Sequence, residues 1–106
     1  MNIAEKLDSI SIGGRKIVCP DDIIMIQADI NYSIVYLNDG NRLIVATTLK
    51  KLEERFSPFA FIRVNKTYVV NSRYVVEEQE NALKLSNSLI ISFSRRKAKK
   101  WKSREE

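Results

Sequence analysis

The side chains of this sequence that are best suited to chemistry are cationic, and one of them stands in an unexpected place. The stretch "FIRVNKTYVVN", residues 61–71, alternates with the two-residue period of a β-strand. Its apolar face would carry Ile62, Val64, Tyr68 and Val70. Lys66 occupies the middle of that apolar row, and an unpaired ammonium group buried in a core would cost several kcal/mol. The sequence therefore predicts that the strand breaks near Asn65-Lys66, or that this face is exposed there.

Both alternatives place Lys66 at the protein surface, between the hydrogen-bonding side chains of Asn65 and Thr67. Ammonium and amide groups in such a loop can donate hydrogen bonds to the acceptor atoms of a partner. A short bulge with a solvated lysine is the alternative that gives the loop no function. The residues alone leave both interpretations open.

The strongest charge feature is the basic segment, residues 95–104. Its cationic residues are Arg95, Arg96, Lys97, Lys99, Lys100, Lys102 and Arg104. The last twelve residues, 95–106, hold seven basic and two acidic residues, so they account for the whole net charge of +5. Such a segment attracts polyanions, with nucleic acid the first candidate and an acidic membrane surface the second. The alternative is a solvated end that aids solubility.

The residue types that most enzymes need are scarce. The sequence has no histidine and a single cysteine, Cys19, which removes the commonest general base and cannot supply a structural zinc site. It has no glycine-rich phosphate loop. The acidic clusters at 21–22 and 77–80 would point neighbouring carboxylates to opposite faces of a strand, so neither forms a convergent pair. We therefore predict no enzymatic activity, no metal site and no cofactor.

The elements that must position the cationic residues are mostly short strands. Gly13-Gly14 and Asp39-Gly40 supply the positive φ angles that tight hairpin turns require. Strand patterns occur at 9–18 (a hairpin), 23–28, 32–37, 42–46, 61–71, 73–86 (a hairpin turning near Glu80-Asn81) and 89–94. The strands at 32–37 and 42–46 are apolar on both faces, which predicts a place in the middle of the fold.

One segment, residues 48–56, has helical periodicity, and Thr47 or Thr48 could cap its N-terminus. Its apolar face would carry Leu49, Leu52 and Phe56. Together with seven to nine strands and loops too short for parallel crossovers, this helix completes the predicted elements. The sequence thus predicts a mainly β fold, with antiparallel sheets of short strands and one short central α-helix.

The length of 106 residues suits one domain with one core. No apolar run reaches the ~20 residues that span a bilayer, and the N-terminal residues lack the apolar core of a signal peptide. The lone Cys19 cannot form an internal disulfide, which fits a reducing compartment. We therefore predict one domain over residues 1–106, located in the cytoplasm and not in a membrane.

Three stretches are more informative together than any one of them is alone: "IQADINYSIVYLNDGNRLIVATTLKKLEERF", "FIRVNKTYVVNSRYV" and "ISFSRRKAKKW". Together they resemble the LytTR family of bacterial DNA-binding domains, over about residues 10–101. The resemblance implies antiparallel sheets with a short helix. It also implies transcription regulation by sequence-specific binding of double-stranded DNA, through loops and strand ends that enter successive major grooves.

The resemblance assigns DNA contacts to three places in the chain. The matching residues are Asn31 and Tyr32 in the first loop, Asn65, Lys66 and Thr67 in the second, and Arg95, Arg96 and Lys97 in the third. A lysine or arginine that bonds guanine O6 and N7 supplies ~1–3 kcal/mol of discrimination, and asparagine reads adenine. Farther along the basic segment, Lys99, Lys100 and Lys102 are better suited to phosphate contacts, which carry no sequence information.

The resemblance also concerns partners and particular positions. It implies a dimer on direct repeats about one helical turn apart, and an upstream receiver domain or kinase partner. The chain departs from the family at Asn65-Lys66, where many members have a histidine–basic pair, and at Ile30, where glycine is common. The ring of Tyr32 either packs in the core, with only its hydroxyl reaching a phosphate, or is itself exposed in the first loop, and Trp101 is expected to anchor the basic segment.

Two other functions compete with DNA reading. The first is a β-rich protein-interaction or acidic-surface-binding module that needs only the basic segment. The second is RNA binding on a sheet face, for which Tyr32 and Tyr36 share one side of a strand.

Overall fold

The computed structural model describes residues 9–104, with side chains for residues 9–99. In this range the chain forms ten β-strands, two α-helices and two short 3₁₀ helices. The strands are β1 Ile10–Gly13, β2 Lys16–Val18, β3 Ile23–Asp29, β4 Tyr32–Leu37, β5 Arg42–Val45, β6 Phe61–Arg63, β7 Tyr68–Asn71, β8 Val75–Gln79, β9 Ala82–Leu85 and β10 Ile90–Ser92. The α-helices are α1 Leu49–Arg55 and α2 Arg95–Arg104, and the 3₁₀ helices are Pro20–Asp22 and Ser72–Tyr74. The mainly β, antiparallel fold with a short central helix is confirmed.

The largest sheet has five antiparallel strands in the order β5-β4-β3-β7-β6. β3 is central, and its residues 23–26 are all buried. β4 is interior, as predicted from its two apolar faces, but β5 lies at the edge, which corrects the prediction for residues 42–46. An apolar pattern on both faces of a strand concerns the layers above and below the sheet. It does not indicate whether the strand is central or at the edge. At this edge Ile44 of β5 remains 55% exposed, although it is apolar.

A layer covers each face of the five-stranded sheet. On one face, α1 and the β1–β2 hairpin enclose a core of Ile12, Val18, Ile23, Ile26, Val35, Val45, Leu49, Leu52, Phe56 and Val69. On the other, the three-stranded sheet β10-β9-β8 encloses Ile24, Met25, Val64, Val70, Leu83, Leu85, Ile91 and Phe93. No helix within residues 9–104 is long and apolar enough to cross a membrane.

α1 forms where it was predicted, and Thr48 is its N-cap, since Thr48 Oγ1 accepts a hydrogen bond from the Lys51 N–H at 3.3 Å. Its buried residues are those predicted, Leu49 and Leu52, with Phe56 directly after the helix. Thr47 instead fixes the first hairpin, because its hydroxyl donates to the Ile12 carbonyl at 2.7 Å. The backbone approaches so closely there that a Cβ on Gly13 would lie 2.3 Å from Thr47 Oγ1.

The stretch 61–71 is a hairpin rather than one strand. β6 and β7 pair with each other across the turn at residues 64–67, so the first alternative, a break near Asn65-Lys66, is correct. This break helps to raise the number of strands in residues 9–104 to ten, above the seven to nine predicted. The predicted hairpin turn at Glu80-Asn81 is confirmed by the pairing of β8 with β9.

The basic segment, for which the sequence predicted only a charged end, forms α2. Ser94 begins it: its Oγ accepts from the Lys97 N–H at 3.2 Å and its carbonyl from the Ala98 N–H at 2.8 Å. Lysine, arginine and alanine are good helix formers, and Ala98 packs against the second core. The cationic residues of the segment therefore lie on a helix whose start is fixed at Ser94.

Candidate nucleic-acid interface

The Lys66 loop, residues 64–67, is organised by the side chain of Asn65. Asn65 Oδ1 accepts hydrogen bonds from the Thr67 N–H at 2.8 Å and the Tyr68 N–H at 3.0 Å, which is an Asx-type turn. Asn65 Nδ2 donates to the Ser92 carbonyl at 2.7 Å and so ties the loop to β10. With its neighbour held in this way, Lys66 is exposed to solvent.

Arg63 holds the same loop from the other side. Its Nε donates to the Asn65 carbonyl at 2.7 Å and its Nη2 to the Lys66 carbonyl at 3.1 Å. Its Nη1 forms an ion pair with Glu53 Oε1 of α1 at 2.8 Å. The planar guanidinium thus joins α1 to two consecutive carbonyls of the loop, a geometry that lysine cannot reproduce. The sequence analysis missed Arg63, which carries only the signal of a polar residue on the outer face of a strand.

The third predicted segment lies against the Lys66 loop. The Ser94 N–H donates to the Val64 carbonyl at 3.2 Å, which joins the start of α2 to the loop. The two segments enclose an open cavity of about 420 Å³. Its lining consists of Arg63, Val64, Asn65, Lys66, Ser94, Arg96 and Lys97. Lys66, Arg96 and Lys97 therefore border one concave, cationic surface.

The first predicted loop lies at the same end of the five-stranded sheet. It is a two-residue turn, Ile30-Asn31, since Asp29 of β3 pairs with Tyr32 of β4. The Ala28 N–H, just before this turn, donates to the Thr67 carbonyl at 2.7 Å. That hydrogen bond joins the first loop to the second, so the sheet brings all three predicted segments to one end.

The side chains of this turn point into solvent. Ile30 is 96% exposed, Asn31 is exposed, and Tyr32 is 54% exposed. The alternative in which the Tyr32 ring packs in the core is therefore wrong. Tyr36, by contrast, is half-buried, and its hydroxyl donates to Gln27 Oε1 at 2.7 Å. Only Tyr32 of this pair is exposed, which weakens the RNA hypothesis.

The remaining predicted residues stand farther from the cavity or outside the described side chains. Arg95 and Lys99 are exposed on α2 and do not line the cavity. Lys100, Trp101 and Lys102 belong to α2, but their side chains lie outside the described residues, and so does the predicted anchoring by Trp101. The acidic cluster at 77–80 is on β8 and its turn, in the three-stranded sheet.

Comparisons with known proteins bear on the family and the fold. The model of the LytTr DNA-binding domain family matches residues 13–104. A solved structure, the LytTr DNA-binding domain of a candidate methyl-accepting/DNA response regulator from Bacillus cereus, has the same fold at 13% sequence identity. It superposes with a TM-score of 0.74 over 91% of this chain and 94% of that chain. A search of curated protein sequences finds no match. The family match spans most of the chain, and the protein therefore belongs to the LytTR family of DNA-binding domains.

Proposed function

We propose that this domain reads double-stranded DNA in a sequence-specific way and thereby regulates transcription. The observation that carries the proposal is the convergence of three segments at one end of the five-stranded sheet. The Lys66 loop and the start of α2 border one cationic cavity, and a backbone hydrogen bond joins the Ile30-Asn31 turn to that loop. Such an arrangement suits loops and strand ends that enter successive major grooves on one side of a duplex.

The chemistry of the side chains assigns their roles. Lys66 and Arg96 are the candidates for guanine O6 and N7, and Asn31 is the candidate for adenine N6 and N7. Arg95, Lys97, Lys99 and Lys100 supply phosphate contacts, which set affinity and register. The half-exposed Tyr32 can add a phosphate contact through its hydroxyl.

We propose for Asn65 a different role from the one that the resemblance implies. Asn65 Oδ1 already accepts from the Thr67 and Tyr68 N–H groups, and Asn65 Nδ2 already donates to the Ser92 carbonyl. The Thr67 carbonyl is used by Ala28. We assign Asn65 to positioning Lys66, with Arg63 as a second positioning residue that bonds the Asn65 and Lys66 carbonyls, and we keep Thr67 as a candidate DNA contact.

The proposal extends to assembly and context. Two copies of the domain would occupy direct repeats about one helical turn apart, each with its three segments facing the duplex. The neighbour from Bacillus cereus is a domain of a response regulator, which supports regulation by an upstream receiver domain or kinase partner, in the cytoplasm where bacterial DNA lies.

The test is selection from a randomised pool of duplex DNA at about 150 mM salt, a fixed concentration because phosphate binding falls steeply as salt rises. Wild type is compared with Lys66→Ala, Arg96→Ala and the control Arg42→Ala. The Arg42→Ala substitution removes the same charge, but Arg42 begins β5, at the opposite end of the sheet from the three segments.

We expect wild type and Arg42→Ala to recover one repeated motif, and the other two variants to lose specificity at distinct positions in it. Recovery of no motif, with all four proteins binding alike, would overturn the proposal. It would favour the alternative module that binds acidic surfaces through the basic segment alone.

A further inference from the structure

Ile30 adopts a backbone conformation that its side chain disfavours. It is the first central residue of the two-residue turn between β3 and β4, and its φ is +51°. Glycine is the preferred residue at such a position, and a β-branched residue there is an outlier. Elsewhere in residues 9–104 the non-glycine residues with positive φ are Arg15 and Ser88, neither of them β-branched. The turn thus carries local strain that a glycine would relieve.

The fold itself gains little from this isoleucine. Its side chain is 96% exposed and belongs to neither hydrophobic core. The turn before β5, by comparison, places Gly40 at its positive φ of +90°. A strained and exposed apolar residue is best explained by a contact that forms only with a partner.

The position of Ile30 indicates which partner atom that would be. Ile30 lies directly before Asn31, in the turn whose neighbouring backbone bonds the Lys66 loop. The apolar feature of the DNA major groove is the C5-methyl group of thymine, which proteins read by apolar contact. An adenine bonded by Asn31 would have a thymine as its pairing partner.

Building on the proposed function, we propose that Ile30 is a specificity-determining residue that contacts a thymine methyl group in the major groove. The contact favours thymine over cytosine, which lacks the methyl group. It requires no movement of the fold, because the side chain already projects from the turn.

The experiment replaces thymine by deoxyuridine, one position at a time, in the duplex recovered by selection. This substitution removes one methyl group and leaves the Watson–Crick edge unchanged. Binding is measured for wild type, Ile30→Ala and the control Ile17→Ala, since Ile17 is a 67% exposed isoleucine in the β1–β2 hairpin. Circular dichroism establishes that each variant is folded.

We expect uracil at one position to weaken binding of wild type and Ile17→Ala by about fourfold, the value of one apolar carbon removed from contact. Ile30→Ala should bind the thymine and uracil duplexes equally at that position. Ile30→Gly should do the same, with a Tm equal to or above that of wild type, because it relieves the strained φ.

Three results would overturn the inference. One is a wild-type protein indifferent to uracil at every position of a recovered motif. Another is an Ile30→Ala variant that retains the full uracil effect, which assigns the methyl contact to a different side chain. The third is a clear loss of Tm in Ile30→Gly, which would give the isoleucine a structural purpose. Failure of selection to recover any motif would instead overturn the proposed function, and this inference with it.

Discussion

Two neighbouring turns at one end of the five-stranded sheet are built in opposite ways. The Lys66 loop is held by side chains: Asn65 makes three hydrogen bonds, and Arg63 bonds two of its carbonyls while it pairs with Glu53. The Ile30-Asn31 turn is held only through backbone hydrogen bonds, in the β3–β4 ladder and from the Ala28 N–H to the Thr67 carbonyl, and its side chains have no hydrogen-bond partner among the described residues.

Under the proposed function, this difference would let one surface combine a rigid loop with a turn whose base preference can change. A cation on a preorganised loop loses little conformational freedom on binding, so more of its interaction appears as affinity. The side chains of a minimal two-residue turn can be replaced without disturbing the fold, so the turn can change its base preference independently. The Lys66 loop should therefore couple binding to stability, and the Ile30-Asn31 turn should not.

The largest effect is expected from Arg63→Ala, which removes all three hydrogen bonds of the guanidinium. We expect the free energy of unfolding to fall by about 2 kcal/mol, since water replaces the lost bonds only in part around a side chain 25% exposed. Affinity for the selected duplex should fall about tenfold, because the Lys66 loop is no longer held. Urea unfolding and titration at about 150 mM salt measure the two quantities.

Two matched variants show which property of Arg63 causes the effect of Arg63→Ala. Arg63→Lys keeps the charge but cannot reach three acceptors, so it should resemble Arg63→Ala. Arg73→Ala removes an exposed arginine after the far end of β7, with only a 3.5 Å ion pair to Asp21, and should change little. If Arg63→Lys binds and unfolds like wild type, charge alone accounts for Arg63, and the positioning role is wrong.

Asn65→Ala should have the next largest effect, about 1 kcal/mol on unfolding, through loss of the Asx turn and of the bond to the Ser92 carbonyl. Its effect on binding separates positioning from base reading. We expect a roughly fivefold loss on every DNA sequence alike, with the selected motif unchanged. A change of preferred base at a single position would show that Asn65 reads DNA directly.

Glu53→Gln tests the far end of the same network. Glutamine can still accept the Arg63 hydrogen bond, so only the charge of a pair with side chains 25% and 41% exposed is lost. Such pairs contribute about 0.2–1 kcal/mol, and salt screens them. Unfolding compared at low and high salt should therefore give a small difference that shrinks as salt rises. A loss as large as that of Arg63→Ala would mean that the ion pair, rather than the two carbonyls, holds the loop.

Much of this fold is readable from sequence because its signals are local. Asp39-Gly40 and Glu80-Asn81 mark their own turns, and Thr48 caps the helix that follows it. Lys66 was informative because a charge in an apolar row implies either a break in the strand or an exposed face, whichever fold surrounds it. The three candidate segments came from a family resemblance. The register of the sheet explains why the first two meet, because β3 ends where β7 begins, and the Ser94–Val64 hydrogen bond adds the third.

What the sequence did not predict depends on contacts between distant residues. Nothing near Arg63 marks Glu53 as its partner, since their meeting requires α1 to pack beside β6. The edge position of β5 depends on which strands pair, and its apolar pattern does not encode that. The hydrogen bonds of Asn65 are equally invisible, because an exposed-looking asparagine beside a lysine reads as a functional group until the Ser92 carbonyl is seen opposite it.

The smallest effect on stability is expected from Asn31→Ala, which tests the other side of the comparison. Asn31 is exposed and has no hydrogen-bond partner among the described residues, so unfolding should change by less than about 0.5 kcal/mol. Selection should nevertheless recover a motif in which the preference for adenine is lost at one position, since a bidentate asparagine–adenine contact discriminates by about 1–3 kcal/mol.

A uniform loss of affinity, with base preference unchanged at every position, would remove the distinction between the two turns, because Asn31 would then support the surface as Asn65 does. If Asn31→Ala instead loses base specificity while its free energy of unfolding is unchanged, then the residues that hold the proposed DNA-binding surface are distinct from those that read the bases.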